Sequence, residues 1–143
     1  MQTIGFQEAV EALSKEDRRY HVEAYAFLRD ALEATLKRRK KAKKESNGHV
    51  GAVELVEGFR IHALDQFGPM AMTVLDYWGV RACDDIGHMV FNLVQAGVFG
   101  KTDDDALGDF SGHYDFHEAF VVPFAPSKIR LNDSTSGEVG TVE

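Results

Sequence analysis

Several residue types that carry recognisable chemistry are scarce in this chain. Its 143 residues include one cysteine, Cys83, one tryptophan, Trp78, and three prolines. A single cysteine excludes an internal disulfide framework and is typical of a reducing compartment. No apolar run reaches the roughly 18 residues of a membrane-spanning helix, and the opening residues MQTIGFQEAV lack the features of a secretory signal. We therefore expect a cytoplasmic protein without a membrane segment.

The sequence also lacks the short motifs that mark common enzyme sites. It contains no G-x-S-x-G elbow, no H-E-x-x-H helix and no G-x-G-x-x-G turn. Gly100-Lys101-Thr102 is similar to the end of a phosphate-binding loop, but Gln95 stands where that loop needs its first glycine. These absences favour a non-enzymatic protein that uses no cofactor, although they leave enzymatic activity undecided.

The clearest pattern that is present lies between two glycines, over Gly68–Gly100. Apolar residues recur there at i, i+3, i+4 and i+7, which predicts two short helices over 69–78 and 84–97. Pro69 suits a first helical position, and Gly79 lies where a left-handed residue would end the first helix. Two short helices joined by a tight turn need other elements to pack against.

The rest of the chain predicts those partners. Three further amphipathic patterns cover about residues 6–13, 20–44 and 51–67. We therefore predict a mainly α, single-domain bundle of about five helices over 1–125, with a flexible C-terminal tail over 126–143. A short β-hairpin near 98–101 and 119–124 is an option within this fold, and a winged-helix-like arrangement is the alternative.

Some side chains have definite expected positions. Trp78 should be largely buried between helices, and Val53 should lie on the inner face of the third helix. Asp84 or Asp85 is the expected N-cap of the last long helix, because aspartate favours that position. Aromatic residues near 114–120 should fold back onto the helices.

The net charge of −7 is unevenly distributed. Residues 1–44 carry 11 Lys/Arg and 7 Asp/Glu, a net of +4, whereas residues 45–143 carry 5 and 16, a net of −11. A chain divided in this way can pair its own two parts, or it can pair with a second copy head to tail.

The positive charge is concentrated in residues 37–44. Seven of these eight residues are candidate anion-binding groups: Lys37, Arg38, Arg39, Lys40, Lys41, Lys43 and Lys44. The favoured interpretation is a solvated helix end, stabilised by the helix dipole. The alternative is a nucleic-acid patch, although no aromatic residue is interleaved to stack on bases.

Two further candidate sites have little support in the sequence. His113 and His117 lie four residues apart near acidic residues, but structural zinc usually takes four Cys or His ligands, so metal is not favoured. The segment 69–97 has helix-turn-helix proportions, yet its second helix opens with Asp84-Asp85 and contains no Lys or Arg. Such a helix would be repelled by phosphates, which makes it a poor DNA-recognition helix.

Several stretches resemble one known family. They are Tyr20 with Ala24-Tyr25-Ala26-Phe27, His49-Val50 with Glu54-Leu55, FGPMAMTVLDYWGVR (67–81), DDIGHMVFNLVQAGVFGKTDDD (84–105) and YDFHEAF (114–120). Over about residues 5–124 the chain is similar to a family of uncharacterised proteins restricted to planctomycete and verrucomicrobial bacteria. It departs from the family pattern at Gly51-Ala52, where the family has Ser/Thr-Gly, which implies a weaker cap on the third helix. The resemblance implies a domain and names no activity.

Two function classes remain after these exclusions. The leading hypothesis is a small cytosolic protein-interaction module with an unidentified protein partner. The alternative is a nucleic-acid-binding protein that uses residues 37–44 or the segment 69–97. We also expect a homodimer, buried through the apolar helix 84–97 with Phe91 and Val94, and oriented by the opposite charge clusters.

Overall fold

The fold is built from α-helices. The computed structural model describes residues 5–41, 50–100 and 106–126, and within these ranges it has no strand. Its helices are α1 (Phe6–Glu16), α2 (Val22–Lys41), α3 (Ala52–Phe67), α4 (Ala71–Trp78), α5 (Cys83–Gln95) and the five-residue α6 (Phe116–Phe120). Three 3-10 turns lie at Gly68–Met70, Leu107–Phe110 and Val122–Phe124. No helix in these ranges is long and apolar enough to cross a membrane. The predicted mainly α fold of about five helices is confirmed.

The optional β-hairpin is not formed in the described part of the chain. Residues 119–124 instead form the end of α6 and a 3-10 turn, and residues 98–100 form a turn after α5. The β-branched pair Val121-Val122 favours an extended chain locally. The complete burial of Phe120 and the early position of Pro123 in the 3-10 turn favour the helical path instead.

Glycine ends α4 as its position predicts, but the start of α5 differs from expectation. Gly79 adopts the left-handed conformation with φ 89°. The N-cap of α5 is Ala82, so the prediction that Asp84 or Asp85 would cap this helix is wrong. Asp85 lies one turn further in, where its Oδ2 accepts hydrogen bonds from the backbone N–H groups of Arg81 (2.9 Å) and Ala82 (3.1 Å). From the third helical position, Asp85 therefore accepts hydrogen bonds from backbone N–H groups that precede the helix.

An aromatic cluster joins α2, α3 and α4. The ring centroid of Phe27 lies 5.2 Å from that of Phe59, 5.2 Å from that of Phe67 and 5.5 Å from that of Trp78. Phe27 and Phe59 are buried, whereas Trp78 is only partly buried and packs at the edge of the cluster. Trp78 thus lies between helices as predicted, although at the edge of the cluster, because Phe27 occupies the centre.

The inner face of α3 is rotated from the predicted one. Val53, expected inside, is 63% exposed. The residues that α3 buries are Ala52, Leu55, Val56, Gly58, Phe59 and Ala63. This set is a complete helical stripe without Val53, so α3 turns a valine toward solvent.

The helices α2 and α3 approach each other most closely at Gly58. A Cβ atom built on Gly58 would lie 2.0 Å from the Thr35 hydroxyl oxygen. Thr35 is only 3% exposed, and its hydroxyl donates to the Ala31 carbonyl at 2.8 Å. The missing side chain of Gly58 is therefore what lets the two helices meet here.

The C-terminal part of the described chain folds back onto the helices, as predicted. Phe116 and Phe120 are buried in the core. The Tyr114 hydroxyl donates to the Val56 carbonyl at 2.8 Å, and the Cys83 thiol donates to the Tyr114 carbonyl at 3.4 Å. This segment thereby connects α3 to α5.

The turn between α1 and α2 is held against the end of α4. The backbone N–H of His21 donates to the Trp78 carbonyl at 3.1 Å. A Cβ atom on Gly79 would lie 2.0 Å from the carbonyl oxygen of Arg19. Gly79 is therefore required both for its left-handed conformation and for the approach of this turn.

Substituting Gly79 tests that contact. Gly97→Ala is the matched control, because Gly97 also has positive φ (81°) but has open space where a Cβ would be. Gly97→Ala should cost about 1–2 kcal/mol for the left-handed conformation alone. Gly79→Ala should cost at least about 1 kcal/mol more, because the methyl group overlaps a backbone atom that cannot rotate away. Urea denaturation measures both, and equal losses would contradict the close approach.

Candidate functional site

An extended group of hydrogen-bonded polar side chains lies between α5 and the turn that connects α1 to α2. Asp85 and His88 are spaced three residues apart, on the face of α5 that meets this turn. The Tyr20 hydroxyl donates to Asp85 Oδ1 at 2.6 Å and lies 3.4 Å from His88 Nδ1. Tyr20 is buried, so this contact closes the cluster on its inner side.

Asn92, one turn further along α5, connects the same face to the N-terminal residues. Its side-chain amide donates to Asp17 Oδ2 and to the Tyr25 hydroxyl, each at 3.0 Å. Asp17 also accepts two hydrogen bonds from the Arg19 guanidinium, at 2.9 and 2.7 Å. The Arg19 guanidinium lies 5.1 Å from the ring centroid of Tyr20. We call the whole group the α5 polar cluster; it consists of Asp17, Arg19, Tyr20, Tyr25, Asp85, His88 and Asn92.

The protonation states of this cluster favour a structural role. Hydrogen bonds from Arg19, reinforced by the one from Asn92, hold the pKa of Asp17 well below its usual range. Burial, followed by the hydrogen bond to Asp85, raises the pKa of Tyr20. Burial also raises the pKa of Tyr25. Both phenols therefore stay protonated at neutral pH and act as hydrogen-bonding groups, unlike an activated nucleophile or base.

A second feature is an open groove between the C-terminal half of α2 and the first half of α3. We call it the α2–α3 groove; its volume is about 700 Å³. Its lining residues are Thr35, Arg38, Arg39, Lys41, Val53, Glu54, Glu57, Gly58 and Ile61. The buried contact between Thr35 and Gly58 described above forms its floor. The α3 wall combines the apolar Val53 and Ile61 with the carboxylates of Glu54 and Glu57, and the α2 wall is mainly cationic.

The two carboxylates of the groove have cationic partners. Glu54 forms an ion pair with Arg39, across the groove, and Glu57 forms one with Arg60 on its own helix. Arg38 is different, because its guanidinium donates to the Thr35 hydroxyl oxygen at 3.2 Å. A hydroxyl positions this guanidinium without neutralising its charge.

A shallower cavity of about 590 Å³ lies beside the groove. It is lined by Gly51, Ala52, Val53, Glu54, Gly108, Asp109, Ser111 and His113. Val53 and Glu54 belong to both linings, so the exposed Val53 side chain forms the border between the two concave surfaces.

The structure separates the predicted anion-binding residues into different environments. Lys37, Lys40 and Lys41 are exposed on α2, and Lys41 also lines the groove. Lys43 and Lys44 lie outside the described residues. The basic stretch is thus not a uniform patch, because Arg38 and Arg39 are turned toward α3.

The two histidines considered for metal binding are both exposed. His113 Nε2 lies 2.6 Å from the Asp109 carbonyl oxygen, and His117 lies in the short helix α6. The part of the chain that the structure describes holds no group of three or more His, Cys, Asp or Glu side chains able to bind a metal ion.

The contacts of α5 do not favour its use as a DNA-recognition helix. Three of its polar residues, Asp85, His88 and Asn92, belong to the α5 polar cluster at the α1–α2 turn. On another side, Gly87 lies so close to Phe110 that an added Cβ would be 2.9 Å from that ring's Cγ. Phe91 packs edge-on against the same ring, with centroids 6.2 Å apart. The helix thus has intramolecular neighbours on both sides.

No protein-family model, curated protein or solved structure matches the chain. The candidate site therefore rests on geometry alone. Sequence reasoning missed both the α5 polar cluster and the α2–α3 groove. The polar spacing of Asp85, His88 and Asn92 on one helix face was the available signal for the cluster. For the groove, the basic stretch 37–44 signalled only the cationic wall, because the opposite wall comes from α3.

The lowered pKa of Asp17 predicts a pH-dependent contribution to stability. The ionised carboxylate stabilises the fold above its unfolded-state pKa of about 4, and this contribution is lost as the pH falls toward the lower folded-state value. Asp17→Asn should therefore cost about 1 kcal/mol at neutral pH, since Arg19 is largely exposed. The difference from wild type should shrink below about pH 4.

Urea denaturation at neutral and acidic pH measures this effect. Asp30→Asn is the matched control. Asp30 is exposed on α2, and its ion pair with Arg29 is long, with 3.9 Å between Arg29 Nε and Asp30 Oδ1. The control should change stability by less than about 0.5 kcal/mol at either pH. A loss in Asp17→Asn that is the same at both pH values would contradict the ionic contribution of Asp17.

Proposed function

We propose that this protein is a non-enzymatic protein-interaction module that receives a segment of a partner protein in the α2–α3 groove. The observation that carries the proposal is Val53, a valine 63% exposed on the border of two concave surfaces. A large exposed apolar side chain beside a groove is typical of a site that a partner covers. Ile61, partly exposed in the same groove, extends the apolar surface.

The use of the polar groups supports a binding module over an enzyme. The members of the α5 polar cluster bond to one another, and the groove carboxylates are paired with arginines. A catalytic base or nucleophile needs a reactive group that is left to meet a substrate. Kinship with the planctomycete and verrucomicrobial family and a cytoplasmic location also stay predictions; the buried free thiol of Cys83 is compatible with the latter.

Nucleic-acid binding remains the alternative function. It is supported by the exposed cations Lys37, Arg38, Lys40 and Lys41 on one helix. However, the described residues that line the α2–α3 groove include no aromatic side chain on which a base could stack. The net charge of −7 also opposes approach to a polyanion.

Self-association stays a separate proposal with reduced support. Phe91 is 36% exposed but already packs on Phe110. Two acidic residues after α5 that could help to orient a dimer, Asp109 and Asp115, accept hydrogen bonds from the backbone N–H groups of Ala106 and Glu118. Sedimentation at micromolar concentration tests the dimer: we expect a dimer that weakens as salt is added. A monomer at both low and high salt would end this proposal.

A charged residue at Val53 tests the proposed function. Random peptides displayed on phage, selected on the full chain, should yield ligands whose binding is lost in Val53→Asp. Burying a carboxylate against an apolar ligand group is unfavourable, so we expect at least a tenfold loss of affinity.

Met70→Asp is the matched control for this experiment. Met70 is 55% exposed and lies in the 3-10 turn before α4, outside the lining of the groove. It should keep wild-type affinity. Recovery of no peptide ligand, or equal losses in the two variants, would contradict the groove as the binding surface.

A further inference from the structure

The α2–α3 groove carries positive charge that no described carboxylate offsets. Its two glutamates are neutralised by Arg39 and Arg60. Within the described residues, neither Arg38 nor Lys41 has a carboxylate at ion-pair distance, yet both line the groove. The uncompensated charge of the groove is therefore positive, although the whole chain is acidic.

Arg38 is held in place by a neutral group. Its guanidinium donates to the Thr35 hydroxyl at 3.2 Å, and an atom of the same guanidinium would lie 3.2 Å from a Cβ on Gly58. The guanidinium thus lies near the floor of the groove, while the residue stays exposed to solvent. The helix dipole accounts for cations at the end of α2, but it does not require this inward position.

The remaining guanidinium donors of Arg38 are suited to a carboxylate. An arginine fork can bind both oxygens of a carboxylate through parallel N–H bonds, which adds geometric specificity to the charge. Val53 and Ile61 provide an apolar surface in the same groove. A ligand that pairs with Arg38 and also covers Val53 and Ile61 carries a carboxylate beside an apolar side chain.

We propose that the α2–α3 groove recognises an acidic peptide segment of a partner protein, in which a carboxylate pairs with Arg38 and an adjacent apolar side chain covers Val53 and Ile61. This inference rests on the proposed function and adds the chemical class of the ligand. The cationic Arg38 and Lys41 in the lining of the groove favour an occupant that presents a carboxylate.

The ligands selected from the random-peptide library test the inference directly. We expect the enriched sequences to combine Asp or Glu with a large apolar residue, and their affinity to fall with added salt. In fluorescence polarisation with one labelled selected peptide, Arg38→Gln should lose about tenfold in affinity. Arg38→Lys should lose less but should not restore wild-type affinity, because lysine keeps the charge and lacks the fork.

Arg18→Gln is the control for the change in net charge. Arg18 is exposed in the α1–α2 turn and does not line the groove, so this variant removes the same charge elsewhere. It should bind the peptide as wild type does. Thermal melting of each variant separates a loss of binding from a loss of folding.

Four results would overturn the inference, and their consequences for the proposed function are distinguishable. Enriched peptides without carboxylates, or equal affinities of Arg38→Gln and Arg18→Gln, would remove the acidic ligand and leave the proposed function standing. No enriched peptide at all would remove both. An oligonucleotide that binds more tightly than the peptide, through Arg38 and with a steep salt dependence, would replace the peptide with nucleic acid.

Discussion

The contact of Thr35 with Gly58 determines how closely α2 and α3 lie together, and three other features depend on that distance. Phe59 directly follows Gly58 on α3, and its ring meets that of Phe27, which lies about two turns before Thr35 on α2. Arg38 reaches the Thr35 hydroxyl only because the helices leave no side chain between them. Thr35 and Gly58 also line the groove. The residues that bring α2 and α3 together are therefore part of the candidate binding surface.

The two polar regions of the molecule differ in what their hydrogen bonds leave available. In the α5 polar cluster, carboxylates, phenols and an amide find partners within the cluster, and such a network fixes one helix relative to a turn. In the α2–α3 groove, the carboxylates are paired, but the side-chain partner of Arg38 among the described residues is a hydroxyl. Unused hydrogen-bonding capacity at an accessible surface, more than the number of charged residues, is what separates a binding site from a structural network.

Much of the helical framework could be predicted from the sequence, because helix-ending glycines and apolar residues at helical spacing can be recognised within one segment of the chain. Gly79 ends α4 where its position predicts, and the stripe of α5 is buried as expected. Val53 was misplaced because α3 is apolar on more than one side, and only its neighbours decide which side is inside. The groove could not be predicted, because it depends on the proximity of Thr35 and Gly58, which lie 23 positions apart in the sequence.

The hydrogen bond from Cys83 to the Tyr114 carbonyl has a consequence for the dynamics of the chain. Cys83 is 2% exposed, and burial raises the pKa of its thiol, so a reagent reaches a reactive thiolate only after the neighbouring segment moves. That segment carries Tyr114, whose hydroxyl is bonded to α3. The rate at which the single thiol reacts therefore reports how often the C-terminal segment leaves the helices. The protein contains its own probe of local opening, with no second cysteine to confuse the signal.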